Sequence, residues 1–291
     1  MSSDAPDRIT LHAAAERLGV HYMTAYRRVR LGILPAEKID GSWWIDPADL
    51  EPRGGTPPRR GRRSRDETTV RAPMWRERLM GRMLTGDAAG AWQVIEAAMA
   101  SGLAPRDIYI DILAPTLHAI GAGWRSGGVA IEQEHLATSV ATALIGRLGS
   151  RFVRRGRKKG VVIVAMPSGE RHGLGVAMLA DILTQDGFEV RNLGPDTPVG
   201  SLVAAMRDVD RLAAVIISVV DVARRPAAGR LLAAARREEP EVLLIAGGFA
   251  VPDVDAATAL GADRWAEDPR ALSALIASPG GRASRVSPSE G

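Results

Sequence analysis

The sequence predicts a multidomain fold in three parts: a winged helix-turn-helix, an all-α four-helix bundle, and an α/β Rossmann-like (flavodoxin-like) parallel sheet. Three observations carry this reading. Two short amphipathic runs near the N-terminus are joined by a tight Gly turn and followed by hairpin chemistry. From Pro73 to about Phe152 the apolar residues recur only at helical spacing. Beyond residue 160, short wholly apolar runs alternate with helical patterns, as a sheet covered on both faces requires.

The first domain spans residues 1–51. Thr10 can cap a helix in which Leu11, Ala14, Ala15 and Leu18 share one face, and Gly19 ends it. HYMTAYRRVRLG reads as the second helix, with Met23, Tyr26 and Val29 or Arg30 at intervals of three to four, closed by Gly32. Thr24, Ala25, Arg27 and Arg28 then fall toward solvent and Arg30 extends the basic face, types that suit phosphates and base edges of double-stranded DNA. A charge run of this kind is equally what an ordinary solvated face carries. The runs AEKI and SWWI flank Asp40-Gly41, which favours a hairpin wing, and Asp46-Pro47 starts a last short helix.

Residues 52–72 are an expected flexible linker: PRGGTPPRRGRRSRDETTV holds three prolines, three glycines and six arginines. It suits either a DNA-backbone contact or a solubilising tether. Residues 73–153 hold the four helical segments WRERLMGRMLTG, DAAGAWQVIEAAMASG, APRDIYIDILAPTLHAIGAGWRSG and AIEQEHLATSVATALIGRLGSRF, the pattern of a bundle. A second basic stretch, RFVRRGRKKG, leads into residues 154–277. There VVIVAMPS, FEVRNLGP, LAAVIISVV and VLLIAGGF are the expected strands, with helices around 174–186, 199–209 and 226–238. Residues 278–291 read as a disordered tail.

Composition narrows the chemistry. With no cysteine among 291 residues, disulfide frameworks, thiolate nucleophiles and Cys-ligated metal sites are excluded. No apolar run approaches the ~20 residues of a membrane span and the N-terminus has no signal pattern, so no membrane partner and a cytoplasmic location are expected. The formal charge is +4 but the pI is near 9.9, and the arginines cluster, which suggests a local anionic partner.

One of the five histidines, His172, sits in GERHGLG, the loop that leaves the first apolar run. Ligands of open parallel sheets bind outside the carboxyl ends of the strands. The loop lacks the GxGxxG spacing and any P-loop Lys-Ser/Thr pair, so nucleotide binding is weakly supported. Its glycines permit close approach of a bulky ligand, and a neutral imidazole beside a carboxylate is a tuned metal ligand.

Glu170-x-His172-x-x-Gly175, forty-two residues, Ser218-Val219-Val220, twenty-six residues, then Gly247-Gly248 resembles the spaced signature of cobalamin-binding domains that hold the cofactor base-off with a protein His on cobalt. That family usually has Asp at the position of Glu170 and Leu at that of Val220. The resemblance implies His172 as the lower cobalt ligand, Glu170 as the group orienting it, Arg171 and Gly173 as its loop neighbours, and Ser218, Val220, Gly247 and Gly248 around the buried dimethylbenzimidazole tail. Trp124, nine residues, then Glu134-His135 resembles the cap motif over the upper cobalamin face in light-sensing regulators of the CarH type. Taken alone, a Trp such as Trp124 is more often a packed core aromatic. The first forty-odd residues resemble winged helices of the MerR and excisionase type.

Together these imply a non-enzymatic transcriptional repressor. It would use adenosylcobalamin, with methylcobalamin as the other form, to set a homo-oligomeric state (dimer or tetramer) and so its hold on a DNA operator. In the light-sensing family a His follows the cap Trp; here it is Arg125. That departure keeps open a cobalamin sensor that does not use light, and a corrinoid methyl carrier is the reading from the enzyme class.

Overall fold

The structure is a computed structural model and describes residues 8–18, 25, 29, 34–39, 42–49, 65–266 and 268–278. Its N-terminal unit opens with strand β1 (Ile9–Thr10) and helix α1 (Leu11–Arg17), capped where the Thr10 hydroxyl accepts the Ala13 N–H at 3.4 Å. Strands β2 (Glu37–Ile39) and β3 (Ser42–Ile45) pair antiparallel around positions 40–41, and β1 joins the other edge of β3 in the order β1-β3-β2. The expected last helix is a short 3₁₀ turn, Pro47–Asp49. Leu11, Ala14, Ala15, Val29, Leu34 and Ile45 form the core of this unit.

Ala25 belongs to that core and is fully buried. This corrects its assignment as a DNA-facing residue: a methyl group packed among Leu11, Ala14 and Ile45 touches no base edge. Thr24, Arg27, Arg28 and Arg30 lie outside the described residues, as does most of the expected second helix.

Helix α2 (Arg65–Leu84) begins inside the stretch expected to be linker, and Ala72 is already buried; residues 52–64 lie outside the described residues. Its buried residues Ala72, Trp75, Leu79 and Met83 repeat every three to four positions. Helix α3 (Ala88–Ala100) follows. The third segment is not one continuous helix. A turn of α-helix, α4 (Pro105–Asp107), passes through a π-helical stretch, Ile108–Leu113, into α5 (Ala114–Arg125). Pro115 cannot donate to the carbonyl of Asp111, and Arg76 Nε takes that carbonyl instead at 2.6 Å. Helix α6 (Ile131–Gly149) buries Ala137, Val140, Ala141, Leu144, Ile145 and Leu148 along one stripe.

The remaining residues fold as β4 (Val161–Pro167), α7 (Leu174–Gln185), β5 (Glu189–Thr197), α8 (Val199–Arg207), β6 (Leu212–Ser218), α9 (Arg225–Glu238), β7 (Leu243–Gly247), α10 (Val254–Ala259), β8 (Arg264–Ala266) and α11 (Leu272–Ala277). All five strands are parallel, in the order β5-β4-β6-β7-β8. Alternate residues of β4 enter opposite cores: Val162, Val164 and Met166 pack with Val176, Leu183 and Leu272, while Ile163 and Ala165 pack with Leu202, Leu231 and Leu232. A strand buried on both faces has no polar side, which is why VVIVAMP carries no alternation. The sheet is Rossmann-like with flavodoxin order: the chain goes from β4 out to β5 on one side and returns to β6 on the other, so the loops leaving β4 and β6 diverge at this switch point and flank a crevice. Strand β8 and helices α10 and α11 were not expected from the sequence.

The helical segments dock on this domain. Helix α6 packs on α7. Tyr109, in the π-helical stretch, donates to Asp181 Oδ2 on α7 at 2.8 Å, Arg106 is paired with Asp186, and Arg270 reaches Asp111 at 2.7 Å. No helix among the described residues is long and apolar enough to cross a membrane.

Candidate cobalamin site

The site lies at the crevice between the carboxyl ends of β4 and β6. After Pro167 the chain turns through Gly169 (φ +83°), and Glu170 points back beneath its own loop with 1% of its side chain exposed. A buried carboxylate needs several donors to remain charged. Glu170 Oε2 accepts the backbone N–H groups of Val220 at 2.9 Å and Asp221 at 2.8 Å; Oε1 accepts that of Arg171 at 3.1 Å and holds Nδ1 of His172. Burial alone would raise its pKa, but the Asp221 and Val220 N–H groups together with His172 outweigh that and hold it below the ordinary carboxylate value.

With an ionised carboxylate on Nδ1, that nitrogen carries the ring proton of neutral His172, and the lone pair sits on Nε2. The His172 side chain is 63% exposed, and among the described residues Nε2 has no hydrogen-bond partner. Gly173 precedes α7, which Gly175 enters in its first turn; a side chain at Gly175 would meet nothing within 4 Å, so the helix start beside His172 faces open space.

The other two sequence motifs converge here. Ser218 ends β6 opposite Gly247 of β7, and Val219 N–H donates to the Gly247 carbonyl at 2.9 Å. Gly248 has φ +97°, and a Cβ on it would stand 2.5 Å from the Val219 carbonyl oxygen and 3.0 Å from Ser218 Oγ. A Cβ on Gly247 would stand 2.9 Å from the Ala266 carbonyl oxygen. Only glycine fits either position, and the pair keeps the crevice floor at backbone thickness. Val220 is half-buried against the core face of β4. Glu170, Arg171, His172, Gly173, Gly175, Ser218, Val220, Gly247 and Gly248 thus lie together at the carboxyl ends of β4, β6 and β7.

The sequence did not reveal that β5 also braces it. Asp196, in the left-handed region at φ +53°, accepts Gly169 N–H at 2.7 Å on its carboxylate and donates its own N–H to the Glu170 carbonyl at 3.0 Å, while Ser168 Oγ donates to the Thr197 carbonyl at 3.2 Å. Asp is among the few residues that adopt this backbone readily, and GPDTP is the only signal the sequence offered.

Trp124 is 48% exposed, so it is not a packed core aromatic. Glu134 Oε1 accepts the Thr138 hydroxyl at 3.0 Å, and the ring of His135 is exposed 3.8 Å from Glu134 Oε2. Among the described residues no hydrogen bond ties Trp124, Glu134 or His135 to the His172 loop, and no three His or carboxylate side chains gather as a bare-metal site. One imidazole suffices for a metal already held by a macrocycle.

The chain is similar to several known proteins. Residues 75–148 and 160–274 each match a family described as B12 binding domain. The chain is 29% identical over 150 residues to the HTH-type transcriptional repressor CarH of Myxococcus xanthus, covering 50% of this chain and 49% of that one. It is 24% identical over 123 residues to monomethylamine corrinoid protein 2 of Methanosarcina acetivorans, covering 41% and 57%. The matches thus span about half the length of these relatives. The monomethylamine corrinoid protein of Methanosarcina barkeri superimposes with a TM-score of 0.60 at 18% identity, over 70% of this chain and 97% of that one, which establishes the shared fold. Residues 160–274, which match the B12 binding domain, fold as a Rossmann-like parallel sheet.

Proposed function

We propose that this chain is a cobalamin-dependent, DNA-binding transcriptional regulator: a light-responsive repressor, not an enzyme, that uses adenosylcobalamin to control homo-oligomeric state and operator binding. One observation carries the choice of regulator over carrier. The corrinoid protein that shares the fold is matched over 97% of its length, yet this chain has a further unit, α1 packed on the β1-β3-β2 sheet, before the first B12-binding match at residue 75. The likeness to a helix-turn-helix repressor points the same way.

The residues fit the cofactor. His172 Nε2 would hold the cobalt, Glu170 fixes its tautomer, and the Gly247-Gly248 floor beside Ser218 would leave room for the dimethylbenzimidazole tail. Trp124, Glu134 and His135 serve the upper face in this reading, with Trp124 available because the fold leaves it exposed. When bound, the adenosyl form would supply a light-labile Co–C bond. The protein's part is to bind one upper-ligand state better in one assembly state, since only a difference in affinity moves the equilibrium. Several weak DNA-binding heads joined in one dimer or tetramer gain affinity through effective concentration, so assembly is a sufficient switch.

Two observations favour other readings. Arg125 follows Trp124 and supplies no imidazole, which favours a cobalamin sensor that does not use light. The identity to corrinoid carriers is comparable to that with the repressor, which favours a methyl carrier. Footprinting on DNA fragments selected by the full chain separates them. The regulator protects a site with adenosylcobalamin in the dark and loses it on illumination, the sensor protects it regardless of light, and a carrier protects none.

A further inference from the structure

Residues 151–159 carry six cations, Arg151, Arg154, Arg155, Arg157, Lys158 and Lys159, between α6 and β4. Among the described residues none of the six is in an ion pair. All but Lys158 are exposed. The neighbouring acids are already neutralised: Asp186 by Arg106, and Asp208 by Arg191 at 2.7 Å. Glu189 and Asp210 remain at the amino ends of β5 and β6, with Arg211 beside the latter.

The segment is fastened at both ends. Phe152 is buried and stacks on Tyr109 with centroids 4.8 Å apart, and Lys159 N–H donates to the Gly187 carbonyl at 2.9 Å. The Lys159 ammonium covers the Phe188 ring, and Lys158 Nζ donates to the Arg154 carbonyl. Four arginines, at 151, 154, 155 and 157, are therefore displayed from an anchored backbone with no ion-pair partner among the described residues. Like charges this close repel, and a polyanion relieves that repulsion while releasing counterions. The segment lies at the amino end of β4, and the His172 loop at its carboxyl end, about 20 Å away at the rise of a parallel strand. Cofactor and polyanion can be held at once.

We propose that residues 151–159 are a second, sequence-independent contact surface for the DNA phosphate backbone, built into the cobalamin-binding part of the chain and separate from the helix-turn-helix. DNA as the polyanion rests on the function proposed above. The surface adds affinity and salt dependence and reads no base.

The test uses the full chain and a mixed-sequence duplex of about 40 base pairs, with affinity followed by anisotropy over a salt series. The variant replaces Arg151, Arg154, Arg155 and Arg157 by Gln, exposed positions whose side chains make no ion pair among the described residues. The salt slope should flatten by about 2–4, at about 0.9 per lost phosphate contact, with affinity at low salt weakened about tenfold or more. The cobalamin spectrum should not move, and the melting midpoint should not fall, since removing like charges relieves their repulsion. An unchanged slope overturns the proposal, as does a variant that loses binding to phosphatidylserine vesicles and keeps its hold on DNA. A second variant, Arg27, Arg28 and Arg30 to Ala, separates this from the parent reading. If it alone loses DNA, the surface is refuted and the helix-turn-helix stands; if only the first variant weakens binding, the reverse holds.

Discussion

Glu170 holds His172 Nδ1 with one carboxylate oxygen and the backbone N–H groups of Val220 and Asp221 with the other. One buried side chain thereby joins the loop after β4 to the end of β6 and sets which imidazole nitrogen is free.

That double duty separates three variants. Glu170→Gln keeps an oxygen for the backbone donors but turns its amide N–H to His172, so the ring must accept at Nδ1 and carry its proton on Nε2. The fold survives, and cobalamin affinity falls about 10–100-fold with loss of the His-ligated absorption spectrum. His172→Ala loses the same spectrum and, by taking one donor from the buried Glu170 carboxylate, lowers stability by about 1 kcal/mol or more. Glu170→Ala leaves the part-buried N–H groups of Val220 and Asp221 without their acceptor, at about 1–3 kcal/mol together in denaturant titration.

The pH dependence follows from the same contacts. Because the folded pKa of Glu170 lies below the ordinary 4.5, its stabilising contribution is present above that value and lost as pH falls through the folded pKa. The stability difference between wild type and Glu170→Gln should be flat above about pH 5.5 and shrink below the ordinary carboxylate value. A difference that grows on acidification contradicts the assignment.

The two glycine positions should respond in opposite ways. Gly248→Ala forces a Cβ against the Val219 carbonyl at positive φ and should cost about 1–3 kcal/mol or more. Gly175→Ala meets nothing within 4 Å and, lying in α7, should stabilise the fold by about 0.5–1 kcal/mol. Any loss of cobalamin affinity in Gly175→Ala is then read free of misfolding.

Tyr109 couples the helical segments to α7. Its pKa is pushed far above the ordinary 10 by burial and then by the hydrogen bond to Asp181, whose own pKa burial raises. Tyr109→Phe strips the Asp181 carboxylate of its donor and should cost about 1–3 kcal/mol in denaturant midpoint measurements.

The strands β4, β6 and β7 were legible because each is apolar on both faces, and the three cobalamin motifs because each ends or follows one of them. Strand β8, the three half-buried residues Arg264–Ala266, has no such run to reveal it. The π-helical turn was hidden because it depends on Arg76, far off in sequence, reaching the Asp111 carbonyl. Ala25 was misplaced because a methyl group leaves no mark of which helix face is buried. Helix α2 begins among arginines and threonines whose composition reads as linker.

The central claim is that the cofactor's state governs assembly. Size-exclusion chromatography with inline absorbance, on the full chain loaded with adenosylcobalamin in the dark and then illuminated, tests it most directly. The account predicts a cobalamin-bearing dimer or tetramer in the dark that dissociates in light, with Arg125 leaving the switch intact. Cobalamin that binds and photolyses while the elution volume stays fixed would contradict it.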